Sequence, residues 1–379
     1  MNVLEKQHKV DRFQTASKYF LVLGAIALFL LSIDLLGYSF QGLRENLASS
    51  ILSVTTNPFI GLFIGLLLTA VIQSSSISTS MIVALVGSGT VSLSAAVPIV
   101  MGANVGTTLT STVVSLGFIT SKRAFRKAIS AGVIHDFYNI ILVILLFPLE
   151  YYNQSLSRAS LWLVSSFGLT DAEVTTVPTY LGSFFGIGRG VGYYVTEVIG
   201  NSWILLIVAF SMLFLSIKYM STIITQSLIG ESKDKLKQYI FRSPYKSFIW
   251  GGALTAAVQS SSITTSLIIP LVATGKVSLP KSFPFIIGAN IGTTITALIA
   301  SLFATEVAIS IALVHLLFNL FGVLVFLPFA SVRKLPIMAA AYFGRLTMHN
   351  RLYGFLYIIL MFFIIPFLLI YFHQQPSSI

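Results

Sequence analysis

Two short polar runs interrupt an otherwise apolar sequence, and both carry groups suited to binding ions. The run QSSSISTS begins at Gln73, and the run QSSSITTS begins at Gln259. A serine hydroxyl both donates and accepts hydrogen bonds, and a glutamine amide offers a carbonyl oxygen and an NH₂ group. Neither run contains lysine or arginine. Such neutral groups would hold an oxyanion together with a sodium ion, and the serines concerned are Ser74, Ser75, Ser76, Ser260, Ser261 and Ser262.

Each run is predicted to lie at the deep turn of a re-entrant helical hairpin, over residues 58–86 and 247–273. Non-helical backbone survives at membrane depth only where protein or a water-lined cavity covers it. The turn leaves N–H groups of one half-helix and carbonyls of the other unpaired, and the positive helix end favours an anion. Two such turns meeting at mid-membrane would form a neutral cage, in which co-bound sodium reduces the desolvation cost of the anion.

A second pair of motifs follows the two runs: GANVGTTLT at 102–110 and GANIGTTIT at 288–296. Glycine and asparagine permit local unwinding of a helix, and the neighbouring side-chain oxygens suit sodium. A packing face of small residues between helices explains the same pattern, so both interpretations stay open. The candidate sodium ligands here are Asn104, Thr107, Thr108, Asn290, Thr293 and Thr294.

A third pair, HDFYN from His135 and HLLFN from His315, places a histidine and an asparagine on one helix face. Hydrogen bonding between helices explains these histidines at least as well as transport chemistry does. Asp136 has no acidic counterpart, because Leu316 occupies the equivalent position. It is either functional, as acids within membranes often are, or placed near the cytoplasmic end of its helix beside basic residues.

The composition identifies the environment in which these motifs must work. Hydrophobic residues make up 55% of the chain and charged residues only 9%, whereas soluble domains carry about 25% charged residues. Apolar stretches at 19–33, 203–217, 307–329 and 352–372 approach the roughly 20 residues that cross a bilayer. The sequence therefore predicts an all-α polytopic membrane protein, embedded in the plasma or inner membrane.

The net charge of +11 is explained by topology rather than by a nucleic-acid partner. Lysine and arginine gather between the apolar stretches, which is the positive-inside pattern of cytoplasmic loops. The sequence has no cysteine, so it predicts neither disulfides nor a thiolate metal site. A serine-nucleophile enzyme is disfavoured, because no G-x-S-x-G elbow is present.

The chain also repeats itself. Residues 69–110 align without a gap with residues 255–296, and the later motifs align at 128–148 and 308–328. Internal repeats in a membrane protein are typical of transporters. The connection 87–95 is uncharged, whereas its counterpart carries Lys276 and Lys281, and the basic segment 121–127 has a counterpart with only Glu306. Equivalent loops thus exchange their basic character, which predicts repeats of inverted topology.

Following the chain from a cytoplasmic N-terminus predicts seven full spans and a C-terminus outside. The spans are expected at 19–38, 97–120, 128–148, 203–221, 283–300, 307–329 and 352–372. The segments are a cytoplasmic start at 1–18, repeat 1 at 19–150, an external loop at 151–200, repeat 2 at 201–330, and a cytoplasmic connection, last helix and external tail at 331–379. The oligomeric state is left open.

On these motifs the chain resembles the type II sodium/phosphate cotransporter family, and specifically its short bacterial members. The resemblance rests on the paired QSSS, GAN and histidine motifs and on RKLPIMAAAYFG before a last FIIPFLL helix, over about 55–150 and 203–372. It implies sodium-driven import of inorganic phosphate by alternating access, with co-transported Na⁺ and no other cofactor. It assigns phosphate to the six serines of the two runs. It assigns sodium to Gln73, Gln259, Thr79, Thr265 and the Asn and Thr residues of the GAN motifs.

The chain departs from the animal members of this family in its external loop at 151–200, which is short and cysteine-free, and in one carboxylate. Electrogenic animal members carry an additional Asp shortly after the first QSSS run, but residues 77–101 contain no carboxylate. Sodium stoichiometry and electrogenicity are therefore open. The rival interpretation is the same architecture moving another oxyanion, such as sulfate or a dicarboxylate. Monohydrogen phosphate can donate a hydrogen bond that sulfate cannot, so a site with an acceptor for that proton would reject sulfate.

Overall fold

The computed structural model describes residues 57–168, 194–228, 239–301 and 305–374, together with individual residues between 21 and 43. The described residues between 21 and 43 are helical, as is the short segment 194–199. The predicted cytoplasmic start, much of the predicted external loop and the predicted external tail lie outside the described residues. The described part of the chain contains helices and no strand, in agreement with the predicted fold class.

Within the described ranges, and leaving aside the short segment 194–199, fifteen α-helices after residue 57 are numbered here in chain order. A π-helical turn, Leu360–Ile364, separates the last two. The bounds are α1 Pro58–Ile72, α2 Ser75–Gly87, α3 Leu93–Gly106, α4 Leu109–Leu116, α5 Lys122–Asn153, α6 Ser155–Ser166, α7 Ser202–Leu228, α8 Pro244–Val258, α9 Ser261–Ser266, α10 Ile268–Ala273, α11 Leu279–Ser301, α12 Glu306–Phe326, α13 Ala330–His349, α14 Leu352–Ile359 and α15 Ile365–Gln374.

Polar residues fix the starts of many of these helices. The side chain before the helix accepts a backbone N–H of the first turn at α1, α2, α3, α5, α8, α9 and α12. Ser, Thr and Asn are the preferred residues for this role. Proline follows the cap at Pro58 and Pro244, where its missing N–H is tolerated.

Five helical segments among the described residues are long and apolar enough to cross a membrane. Each overlaps one of the predicted spans. The predicted span 203–221 corresponds to α7, whose apolar part Ser202–Ser216 is shorter, and the predicted hairpins correspond to the short apolar helices α1–α2 and α8–α10. This supports a polytopic membrane protein, while the count of seven spans stays a prediction. The five segments are Leu93–Leu116, Lys122–Asn153, Leu279–Ser301, Glu306–Phe326 and Leu352–Phe372.

The structure adds helices where the sequence indicated connections. Residues 331–351, predicted as a connection, are mostly the 20-residue helix α13. The predicted external loop begins with the helix α6, whose first N–H groups are capped by the buried carboxylate of Glu150. Glu150 Oε2 accepts from Leu156 N at 2.7 Å, and its other oxygen accepts from the Ser157 hydroxyl.

The glycines of the GAN motifs serve close helix packing, the alternative that the sequence left open. A Cβ at Gly102 would lie 1.8 Å from the Leu62 carbonyl oxygen, so α1 and α3 touch through their backbones. At Gly288 a Cβ would lie 2.0 Å from the Phe248 carbonyl oxygen, in the equivalent contact of α8 and α11. Local unwinding is found only in the first motif, where α3 ends at Gly106; helix α11 continues through the second.

Candidate ion-binding site at the two serine turns

Each Gln-Ser-Ser-Ser run forms a turn between two helices with the same backbone geometry. Gln73 (φ 55°, ψ 26°) and Gln259 (φ 53°, ψ 30°) end the first helix in the left-handed region. Ser74 and Ser260 (both φ −146°, ψ 104°) then cap the second helix, their hydroxyl oxygens accepting the N–H three residues on at 3.3 Å. The sequence predicted a turn at these positions; the re-entry of either hairpin into a membrane stays a prediction.

The helix starts after these caps present backbone donors. Within the described part of the chain, no acceptor is found for the N–H groups of Ser75 and Ser76, or for those of Ser261 and Ser262. Such N–H groups at a helix start carry a partial positive charge and favour an anion. Both turns therefore offer anion-binding donors without lysine or arginine.

The two turns contact each other. Ser76 Oγ donates a hydrogen bond of 2.9 Å to the backbone carbonyl oxygen of Gln259 and lies 3.4 Å from Thr296 Oγ1. A second contact joins the hydroxyls of Ser111 and Thr265 at 2.8 Å. Residues predicted to act together from two distant parts of the sequence thus lie side by side.

The two turns are not equivalent in their surroundings. The Gln73 side chain is exposed, whereas Gln259 is only 7% exposed and its Oε1 has no hydrogen-bond donor among the described residues. Ser75, Ser76 and Ser261 are buried, and the other serines of the runs are half-buried. A buried amide oxygen without a donor is costly, so Gln259 Oε1 is the clearest unsatisfied oxygen at the turns.

The two threonines predicted as sodium ligands bond within their own helices. Thr79 Oγ1 donates to the Ser75 carbonyl oxygen at 2.7 Å, and Thr265 Oγ1 donates to the Ser261 carbonyl oxygen at 2.8 Å. A hydroxyl that donates its hydrogen keeps lone pairs that a cation can use. Both hydroxyls lie one helical turn from the serine turns, within helices that begin there.

The asparagines of the GAN motifs are held by the histidine motifs of the other half of the chain. Asn104 Oδ1 lies 3.3 Å from His315 Nε2 and accepts from Asn319 Nδ2 at 3.1 Å. Its own amide NH₂ donates to the Val100 carbonyl oxygen at 2.9 Å. Because an amide oxygen has two lone pairs, these two contacts occupy the acceptor positions of Asn104 Oδ1.

In the equivalent cluster the asparagine comes from the second half of the chain and its partners come from the first half. Asn290 Oδ1 lies 2.5 Å from His135 Nε2, and Asn290 Nδ2 donates to Asn139 Oδ1 at 2.8 Å. Asn139 Nδ2 in turn donates to the Asn104 carbonyl oxygen at 2.7 Å and links the two clusters. Hydrogen bonding between helices, one of the two interpretations of the histidines, is therefore present. A sodium role for Asn104 or Asn290 stays a prediction. Sodium would have to replace the hydrogen-bond donors that now contact the side-chain oxygens of these asparagines.

The remaining GAN threonines are buried. Thr108 donates to the Val105 carbonyl oxygen at the end of α3 at 2.7 Å, and Thr293 and Thr294 donate to carbonyl oxygens of α11 at 3.0 and 2.7 Å. Thr107 Oγ1 has no partner among the described residues, which makes it the freest of the four. Their predicted sodium role is not tested by these contacts.

Asp136 is fully buried and is held by hydroxyl groups rather than by a cation. Thr112 Oγ1 donates to Asp136 Oδ2 at 3.0 Å, and Thr108 and Tyr357 lie close to the same carboxylate. Asp136 forms no salt bridge with any described residue. Asp136 Oδ1 has no hydrogen-bond partner among the described residues, and no group of three His, Asp or Glu side chains that could hold a metal ion is found within them.

Three contact residues were missed from the sequence. Thr296 is the last residue of the repeated GANIGTTIT motif, so the repeat itself was a signal for it. Ser111 and Thr112 follow the first GAN motif, and their contacts depend on which helices meet in three dimensions. Only the density of hydroxyl residues just after that motif indicated them.

Comparison with known proteins decides the family. A sequence model described as Na⁺/Pi-cotransporter matches residues 28–170 and 212–349. The chain belongs to the Na⁺/Pi-cotransporter family. Sodium-dependent phosphate transport protein 2A of Rattus norvegicus is 30% identical over 91% of this chain and 66% of its own length. Protein 2B of Homo sapiens is 27% identical over 93% of this chain and 65% of its own length.

The chain thus spans about two thirds of the length of these relatives. No solved structure matches it. The family and the named relatives are transporters, so the enzyme interpretation of the serine runs is excluded. The resemblance inferred from the motifs is confirmed at the level of the family.

Proposed function

We propose that this protein couples sodium entry to the import of inorganic phosphate, and that both ions bind between the two Gln-Ser-Ser-Ser turns. The observation that carries the proposal is the 2.9 Å hydrogen bond from Ser76 to Gln259, which brings the two turns together in a member of a Na⁺/Pi-cotransporter family. The names of the relatives, sodium-dependent phosphate transport proteins, agree with it.

Phosphate is assigned to the donors of the turns. The N–H groups after the caps Ser74 and Ser260 belong to the positive ends of α2 and α9, and the buried hydroxyls of Ser75 and Ser261 stand beside them. Donors of this kind bind oxyanions through charge-assisted hydrogen bonds. Because no lysine or arginine lies in either run, the anion alone would be poorly stabilised after it loses its hydration shell.

Sodium is assigned to oxygens of the same turns, and this gives a reason for coupling. Gln259 Oε1 is buried without a donor, and Gln73 occupies the equivalent position in the first turn. A sodium ion held there compensates the charge of phosphate, and phosphate compensates the charge of sodium. A site holding only one of the two is electrostatically unfavourable, so each ion promotes binding of the other.

Alternating access is proposed to exchange contacts between the halves of the chain. The Asn104–His315 and Asn290–His135 contacts, like the Ser76–Gln259 bond, each join residues before position 150 to residues after position 255. Transporters built from inverted repeats move one part of the molecule against the other around a fixed site. The proposed orientation is a multi-pass protein of the plasma or inner membrane, with the N-terminus in the cytoplasm and the C-terminus outside.

Uptake of radiolabelled phosphate into proteoliposomes of the purified protein tests the function. An inward sodium gradient should drive concentrative uptake, and an equal potassium gradient should not. Excess sulfate or a dicarboxylate should leave uptake unchanged. Equal uptake in both salts would contradict sodium coupling, and strong competition by sulfate would favour the broader oxyanion alternative.

A further inference from the structure

A second polar site lies apart from the serine turns. It is a cavity of about 410 Å³ between the start of α5, the connection from α10 to α11, and α13. Its volume falls within the range of about 300–1,000 Å³ that small-molecule sites occupy. We call it the basic cavity, after the residues that line it; those used here are Arg126, Lys127, Ser130, Gly275, Ser278 and Arg345.

Close helix packing builds this cavity. A Cβ at Gly344 would lie 2.0 Å from Ser130 Oγ and 2.7 Å from the Arg126 carbonyl oxygen, so α13 packs against the α5 backbone. Arg345, the next residue, lines the same cavity as Arg126. On the other wall a Cβ at Gly275 would lie 3.0 Å from Lys127 Nζ. Two segments, the start of α5 and α13, thus supply three cations to one space, and the connection before α11 forms a further wall.

The cations of the basic cavity are not neutralised by described residues. No acidic residue lines the cavity, and none of Arg126, Lys127 and Arg345 forms a salt bridge within the described ranges. The one ring contact is that of Arg345, whose guanidinium carbon lies 5.8 Å from the Tyr342 ring centre. A cleft lined by charges of one sign focuses the field and concentrates counter-ions of the opposite sign.

The N-terminal end of a long helix also lines the cavity. Ser278 and Leu279 line it, and α11 runs from Leu279 to Ser301. Pro280 has no N–H, and Lys281 N donates to the Ser278 carbonyl oxygen at 3.0 Å, so this helix start contributes chiefly the positive end of its dipole. That partial charge adds to the attraction of the three cations for an anion. Arginine pairs with phosphate oxygens through two parallel hydrogen bonds, which favours phosphate over a simple halide.

We infer that the basic cavity binds the phosphate group of an anionic phospholipid. A lipid rather than a free anion is favoured by the surface next to the cavity, where Met338 and Tyr342 of α13 are 64% and 57% exposed on the face that carries Arg345. Acyl chains would pack on this apolar face while the headgroup enters the cavity. Basic pockets between membrane helices on the cytoplasmic side bind anionic headgroups in this way. The inference does not depend on transport activity.

Lipid binding to the purified protein in detergent tests the inference. The protein is titrated with fluorescent phosphatidylglycerol and, separately, with phosphatidylcholine that carries the same acyl chains and the same label. The anionic lipid should bind more tightly, and removing two cations with Arg126→Gln and Arg345→Gln should weaken it by about tenfold or more, as expected for lost charge-assisted hydrogen bonds. The matched control removes the same charge with Arg123→Gln and Lys276→Gln, both exposed and outside the cavity lining, and should change affinity less than about twofold.

The outcomes separate the alternatives. Equal affinity for the two lipids, or equal loss in the control variant, would overturn the inference. Displacement of the anionic lipid by millimolar inorganic phosphate would assign the cavity to the free anion and overturn the lipid part. If the double variant does not purify as folded protein, Lys127→Gln alone is titrated, and unchanged affinity there would equally count against the cavity.

Discussion

The hydroxyl of Ser76 donates a hydrogen bond of 2.9 Å to the backbone carbonyl of Gln259. This bond places the N-terminal end of α2 against the C-terminal end of α8. The first end carries a partial positive charge and the second a partial negative charge. Donors suited to an anion and acceptors suited to a cation therefore lie next to each other, and the proposed binding of phosphate together with sodium rests on this arrangement.

The role of the Gln259 side chain can be tested without disturbing the backbone of its turn. Among the residues that the structure describes, three non-glycine residues have a positive φ, namely Gln73, Gln154 and Gln259. Glycine adopts this conformation without strain, so Gln259→Gly should leave stability unchanged or raise it by up to about 1 kcal/mol. If its amide binds sodium, the apparent sodium affinity in phosphate uptake should fall at least about tenfold.

Gln154→Gly is the matched control for that experiment. Gln154 has the same backbone conformation (φ 51°, ψ 41°) at the end of α5, and its side chain is exposed away from the turns. Its replacement should affect stability similarly and leave the sodium dependence unchanged. Sodium dependence of Gln259→Gly equal to that of the wild type would show that the amide does not bind the coupling ion.

The buried serines of the two turns should be needed for transport but not for folding. Ser75 and Ser261 are 5% and 2% exposed. Ser75→Ala or Ser261→Ala should reduce the rate of sodium-driven phosphate uptake by about tenfold or more, as expected for loss of a hydrogen bond to a charged ligand. The control is Ser165→Ala, an exposed serine of α6. Normal uptake by both turn variants would disprove the two-turn site.

Replacement by alanine should affect stability very differently at two adjacent glycines of α8. A Cβ at Gly251 would lie 2.0 Å from the Phe285 carbonyl oxygen, whereas a Cβ at Gly252 would lie 3.4 Å from the Gly288 carbonyl oxygen. Gly251→Ala should therefore force α8 and α11 apart and cost about 1–3 kcal/mol or more, while Gly252→Ala should be near neutral. Thermal stability and the yield of folded protein measure both, and similar values would contradict the close packing.

The contact of Asn290 with His135 should appear as a coupling energy between the halves of the chain. A double-mutant cycle with Asn290→Ala and His135→Ala should give a coupling of about 0.6 kcal/mol and at most about 1.7 kcal/mol, the average and the maximum measured for hydrogen bonds between membrane helices. The same cycle with Asn290→Ala and Ser165→Ala should give about zero, because these sites share no contact. Unfolding in detergent measures both cycles, and zero coupling in the first would contradict the contact.

Much of the turn geometry was predictable because local chemistry determines it. Repeated serines after an apolar helix supply N-caps, and Ser74 and Ser260 take that role. The residue before each cap was not predictable in the same way. The left-handed conformation at the end of a helix is usually taken by glycine, yet Gln73 and Gln259 adopt it here. Backbone strain at these two positions is consistent with a requirement for the side-chain amide.

Contacts between distant segments could not be read from the sequence. Asn104 and Asn290 carry oxygens that suit sodium, but their partners are fixed by which helices pack together in three dimensions. The repeat showed that the two asparagines are equivalent without showing that each pairs with the histidine of the other half. The helix α13 was missed because Arg333, Lys334 and Pro336 interrupt its apolar pattern.

Equilibrium binding of radiolabelled phosphate to the purified protein tests the central claim most directly, because one site shared by two turns makes a distinct prediction about stoichiometry. Binding should require sodium, with choline as the control cation, and should saturate at one phosphate per chain. Ser75→Ala alone and Ser261→Ala alone should each weaken that single site. Two phosphates per chain, with one lost in each variant, would show independent turns, and sodium-independent binding unchanged in both variants would contradict the account.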